Sequence, residues 1–150
     1  MRVVVAADHA GFIIKEAVIE AVKEAGHEPI DLGTHNLEPV DYPDFAEKAG
    51  YAIINGDAER GIVICGSGVG VCITANKIKG IYAGLISDIY SAHQGVEHDA
   101  MNVMCLAGQI VGPTKAKEMV HSFLKAQPMD VDRYKKRILK IKNIENVFFK

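Results

Sequence analysis

Between Gly61 and Lys77 the chain reads GIVICGSGVGVCITANK, and its possible chemistry centres on Cys65. The cysteine ends an apolar run and is followed by Gly66, Ser67, Gly68, Val69 and Gly70. Backbone N–H groups in such a glycine loop, leading into a helix, can hold a phosphate or a charge developing during reaction. The same glycines also suit a tight strand-to-helix turn. A dinucleotide fingerprint needs glycine at position 71, where this chain has Val71. Asp88 follows at about the distance of a ribose-binding acid, so the nucleotide reading is weakened and not removed. No Gly-Lys-Ser/Thr closes the loop as a Walker A motif requires, and a C-x5-R phosphatase would need arginine in place of Val71. Two readings of Cys65 stay open: a thiol acidified by nearby N–H donors and able to move a proton, or a small packing residue. Ser67 is a second donor to the same anion or a turn residue. Cys72 and Cys105 are read as packing residues.

Other titratable residues recur near strand ends. Asp8 and His9 follow the first apolar run, Ser87 and Asp88 follow the fourth, and His98, Asp99 and Asn102 precede the fifth. His9 and His98 are read as loop residues suited to acid–base work or phosphate contact. His27, His35, His93 and His121 are read as surface or packing residues. Glu97-His98-Asp99 has no second His or Cys at ligand spacing nearby, so no metal site is expected. Arg133 and Arg137 are four apart and share a helix face, which suits a phosphate clamp. Lys135, Lys136, Lys140 and Lys142 make a solvated basic face the favoured reading of that helix on pattern alone.

The elements that must carry these residues alternate. Val3–Ala7 is a continuous apolar run, as in a parallel strand buried on both faces. A helical stripe follows over 12–25, closed by Gly26. Strands are then expected over 29–32, 62–65, 81–86 and 103–107. Helices are expected over 42–54, 71–78, near 91–97, over 115–125 and from about 131 to 142. Such alternation predicts a parallel sheet with helices on both faces, in which ligands bind beyond the carboxyl ends of the strands.

At 150 residues the chain suits one domain with a sizeable core. The formal net charge of -2 argues against broad nucleic-acid binding. No apolar run approaches membrane-spanning length, and the N-terminus has no signal-like apolar region. The cysteines have no CxxC spacing, so reduced thiols and a cytoplasmic location are expected.

Taken together, AADHAGF (6–12), DLGT (31–34), DYP (41–43), the cysteine–glycine stretch, the HD..N pattern (98–102) and NVMCLAG (102–108) resemble the type B ribose-5-phosphate isomerases. Allose- and galactose-6-phosphate isomerase subunits belong to the same superfamily. The resemblance implies a Rossmann-like three-layer αβα sandwich with a five-stranded parallel sheet. It implies a homodimer or homotetramer whose site lies near the subunit interface, with the C-terminal helix extending to a neighbouring subunit. It implies a phosphorylated sugar as substrate and no metal or nucleotide cofactor. By analogy, His98 opens the furanose ring and Cys65 moves a proton between C2 and C1. Gly66, Ser67, Gly68, Val69 and Gly70 hold the enediolate charge. Asp8 contacts sugar hydroxyls, Tyr42 lines the site, and His9, Arg133 and Arg137 hold the phosphate.

Two positions depart from the common pattern. Asp99 stands where many members have asparagine, and Gln109 where many have arginine. Asp99 is carried as a substrate-contact position, and both departures bear on which sugar is used. The expected reaction is the interconversion of ribose 5-phosphate and ribulose 5-phosphate, a step of the pentose phosphate pathway. The alternatives are isomerisation of a six-carbon sugar phosphate, a nucleotide-binding module, and a non-catalytic subunit that needs a different partner chain. Cys65 and His98 on one chain argue against the last.

Overall fold

The computed structural model describes residues 1–149. Five strands, β1 (Arg2–Ala7), β2 (Glu28–Asp31), β3 (Arg60–Cys65), β4 (Ala83–Leu85) and β5 (Val103–Ala107), form one all-parallel sheet in the order β2-β1-β3-β5-β4. Six helices accompany them: α1 (Phe12–Glu24), α2 (Tyr42–Ile54), α3 (Val69–Ala75), α4 (Ile89–Asp99), α5 (Pro113–Lys125) and α6 (Asp132–Phe148). This is the Rossmann-like αβα arrangement that the alternation and the resemblance predict. No described helix is long and apolar enough to cross a membrane.

The central strands β1, β3 and β5 bury both faces, which is why they read as unbroken apolar runs. Val3, Val5, Ile62, Ile64, Met104 and Leu106 face α1, α4 and α5, where Val18, Val96, Met119 and Phe123 close the layer. Val4, Ala6, Val63 and Cys105 point the other way, under Phe45, Ala46 and Ala49 of α2 and Val71 and Ala75 of α3. The period-two alternation of one strand thus feeds two cores.

Several boundaries differ from expectation. The expected strand over 81–86 shrinks to Ala83–Leu85. Asn102 takes over the backbone ahead of it, accepting from Tyr82 N–H at 2.8 Å and donating to the Gly80 carbonyl at 2.9 Å. The helix expected over 71–78 begins at Val69 and ends at Ala75. The one expected near 91–97 begins at Ile89, because the Asp88 carboxylate caps it by accepting from Ser91 N–H at 2.6 Å. That bond also gives Asp88 a structural task in place of the ribose contact a nucleotide site would need. The last helix does not stop near Lys142 but runs to Phe148, since Asn143-Ile144-Glu145-Asn146-Val147 contains no helix breaker.

The DLGT segment also finds a structural role. Lys15, buried on α1, donates to both Asp31 oxygens at 2.8 and 2.9 Å and to the Thr34 carbonyl at 2.5 Å. Gly33 and Thr34 in turn pair with Ala7 at the end of β1, each at 2.7 Å. The pair Lys15–Asp31 therefore fixes the loop beside which Asp8 and His9 emerge.

Candidate active site

The carboxyl edge of the sheet gathers the residues that follow β1, β3 and β5. Cys65 is the last residue of β3 and is 4% exposed. The chain turns back at Gly68, whose φ of 76° is a left-handed conformation that favours glycine. A Cβ there would also lie 2.5 Å from Leu85 Cδ1 and 3.0 Å from the Leu106 carbonyl carbon. The turn aims Gly68 N–H at Cys65 Sγ, 3.2 Å away. The sulfur thus receives a backbone donor from its own loop.

Around the sulfur the loop stays open to a ligand. Ser67 Oγ accepts from Val69 N–H at 3.3 Å. Among the described residues the backbone N–H groups of Ser67 and Gly70 carry no hydrogen-bond partner. The Tyr42 ring at the start of α2 lies where a Gly70 side chain would be, 2.5 Å from that ideal Cβ, so only glycine admits it. Asp8 is 5% exposed; its Oδ1 accepts from Gly11 N–H at 2.9 Å, and its own N–H bonds the Ile64 carbonyl at 3.1 Å. Asp8 is thereby locked one residue from Cys65 on the neighbouring strand. His9 Nδ1 accepts from Val40 N–H at 3.1 Å, which places the ring proton on Nε2 as a donor. Gln109, just beyond β5, reaches the Ala10 carbonyl at 3.5 Å and packs beside Gly66.

His98 and Asp99 stand elsewhere. They are not loop residues: they form the last turn of α4, from which Ala100 and Met101 lead down into the start of β5. Cys65 pairs with Ala107 at the far end of β5, four residues and about 13 Å beyond Val103. The strand-end argument therefore holds for Asp8, His9 and Cys65 and fails for His98. Only residues that follow a parallel strand reach its carboxyl edge; residues that precede one arrive at the opposite edge.

A second cluster forms at that opposite edge. Gln94 Nε2 lies 2.8 Å from His98 Nδ1; an amide nitrogen donates, so the His98 ring proton sits on Nε2. Glu97 pairs with His93 at 3.0 Å, one helical turn back, so Glu97, His98 and Asp99 diverge. Asp99 is exposed and lines a cavity of about 440 Å³ between α4, β4 and Ile141 of α6. α6 leans on this cluster. Tyr134 stacks on the His98 ring with centroids 4.0 Å apart, and Glu145 accepts from Gly80 N–H at 2.7 Å and from Tyr82 Oη at 3.0 Å. Arg133 and Arg137 are exposed on α6. Lys135 is matched by Asp130, whereas among the described residues neither arginine has a carboxylate partner. The pair is thus free to meet an anion, as a merely solvated face would also allow.

The remaining cysteines are not equivalent. Cys105 is fully buried and its thiol is pushed well up by its contact with Cys72 and by burial. Cys72, half-buried on α3, falls to about 7. The contact with Cys105 is the main cause, offset by burial and aided by the Leu85 backbone and the Asn76 amide. Sequence pattern alone treats both as packing residues; the acidic Cys72 depends on long-range neighbours that no local motif announces.

The family model described as Ribose/Galactose Isomerase matches residues 3–141. The chain belongs to the ribose/galactose isomerase family. Ribose-5-phosphate isomerase B of Escherichia coli K12 is 40% identical over 138 residues, 92% of each chain. The type B ribose 5-phosphate isomerase structure from Trypanosoma brucei superposes with a TM-score of 0.93 at 42% identity, covering 96% of this chain and 98% of that one. The Mycoplasma genitalium ribose-5-phosphate isomerase B structure, with bound ribulose-5-phosphate, gives 0.89 at 37% identity over 97% and 96%. The matched span includes Asp8, Cys65, His98 and Arg137.

Proposed function

We propose that the protein interconverts ribose 5-phosphate and ribulose 5-phosphate, in a site completed by a second copy of the chain. The observation that carries the chemistry is the Cys65 sulfur held by Gly68 N–H beside buried Asp8, in a chain of this family. The observation that carries the second copy is the split of one chain into two half-sites at opposite sheet edges.

The reaction needs an acid for ring opening, one base that serves two carbons, and donors for a developing oxyanion. His98 Nε2–H, from the second copy, gives its proton to the ring oxygen as the C1–O bond breaks and takes back the anomeric hydroxyl proton, so the aldehyde forms at C1 and the imidazole is restored. The Cys65 thiolate takes the proton from C2, and the resulting enediolate rests on the free Ser67 and Gly70 N–H groups with Ser67 Oγ close by. The thiol then returns the proton to C1 while the O2 hydroxyl proton passes to O1, which leaves the ketone at C2, a hydroxyl at C1 and the thiolate restored. Gly66, Gly68 and Val69 shape the cradle, Asp8 accepts from sugar hydroxyls, and Tyr42 walls the sugar. His9 Nε2–H meets the phosphate from one side, and Arg133 and Arg137 of the second copy meet it from the other. A phosphate held remotely from C1 and C2 lets binding energy position the reacting carbons.

The test is isomerisation of ribose 5-phosphate by the purified protein with EDTA present, beside Cys65→Ala. The parent is expected to be active and the variant to lose about 10²–10⁴-fold in kcat. An inactive parent sinks the pentose reading, and a fully active variant makes Cys65 a packing residue.

A further inference from the structure

α6 is mostly exposed, yet Tyr134 in its first turn is only 7% exposed. Its contacts are more specific than burial requires. Its ring lies nearly parallel to the His98 imidazole, at 4.0 Å and 23°. Its hydroxyl accepts from Arg133 Nη2 at 3.0 Å, and the Arg133 guanidinium lies 4.7 Å from the ring centroid. One phenol therefore touches both the imidazole and a guanidinium of the second half-site.

We propose that Tyr134 is a positioning residue that fixes the plane of the His98 imidazole and the aim of the Arg133 guanidinium as one unit. The inference rests on the isomerase reading above. Gln94 alone fixes one ring nitrogen of His98 and leaves the ring free to swing about that contact. The Tyr134 face removes this freedom, so Nε2 has a single direction. Arg133 has several rotatable bonds; the hydroxyl bond and the cation–π contact hold its planar fork in one attitude before an anion arrives. Preorganised groups of this kind lose little entropy when substrate binds. Because the two residues share one support, ring opening and phosphate capture are aligned by the same side chain.

The test uses Tyr134→Phe and Tyr134→Leu in the full-length protein, with four readouts. These are kcat, KM for ribose 5-phosphate, inhibition by inorganic phosphate, and the proton shifts of the His98 ring. The Phe variant keeps the stack and loses the Arg133 acceptor. Its KM and its phosphate inhibition constant are expected to rise about tenfold, with kcat within about twofold. The Leu variant also loses the stack: kcat is expected to fall about tenfold, and the His98 ring protons to move as the ring current disappears. An active parent whose Phe variant keeps its KM and phosphate affinity, and whose Leu variant keeps its kcat and His98 shifts, overturns the positioning role alone. Should the Leu variant fail to fold, the Phe variant's KM and phosphate inhibition decide. A parent that does not isomerise ribose 5-phosphate overturns the isomerase reading and this role with it.

Discussion

Cys65 and Cys72 sit seven residues apart with different surroundings, and each surrounding dictates a different reactivity. Cys65 is nearly closed to solvent and receives one N–H from its own loop. Cys72 is half-buried and held to about 7. At neutral pH a substantial fraction of Cys72 is thiolate, the form that reacts with alkylating agents. Iodoacetamide labelling followed by peptide mass spectrometry is expected to show Cys72 modified faster than fully buried Cys105, with a midpoint near pH 7. Equal labelling of the two, or a midpoint above pH 8, would contradict this account of the thiol. At this scale the sequence was most informative where a motif is local. Cys65, its glycines, Asp8 and His9 could be picked out because they lie within a few residues of a strand end. Tyr134 and the acidity of Cys72 could not, since both depend on contacts made across tens of residues.

Elements decide where those residues go. The alternation of apolar runs was enough to place β1, β3 and β5 and the helices between them, because a parallel strand buried on two faces admits little else. It misplaced His98, since nearness in sequence to β5 says nothing about which end of β5. It also ended α6 early. The extra turns matter, because Glu145 lies in them and clamps α6 to Gly80 and Tyr82. Burial and the Glu145 carboxylate push the Tyr82 phenol up from 10.0 to about 12. A folded-state value above the unfolded one gives stability that is complete below pH 10 and lost as pH rises through 12. The stability of the parent relative to Tyr82→Phe is therefore expected to fall as pH rises from about 10 to about 12. Urea midpoints of the two proteins across that range measure the difference. A constant difference would mean that the phenol is not held above its ordinary value by the fold.

For the whole molecule, the two clusters at opposite edges of the sheet define the problem. One edge of the sheet presents Asp8, His9, Tyr42 and Cys65, and the other presents His98, Arg133 and Arg137. Leu85 on edge strand β4, Ile89 and Tyr90 of α4, and Val69 and Ile73 of α3 are large apolar residues left exposed. A two-fold pairing would meet both needs, since each copy lends one half-site and borrows the other. The measurement that tests this most directly mixes two inactive proteins. Cys65→Ala and His98→Ala are unfolded together in equal amounts, refolded, and assayed on ribose 5-phosphate. In a mixed pair one site combines both lesions and the other has neither. Random pairing is then expected to restore about a quarter of the parent's activity. Activity that stays at the level of the separate variants, with mixed pairs shown to form, would contradict a site shared between copies.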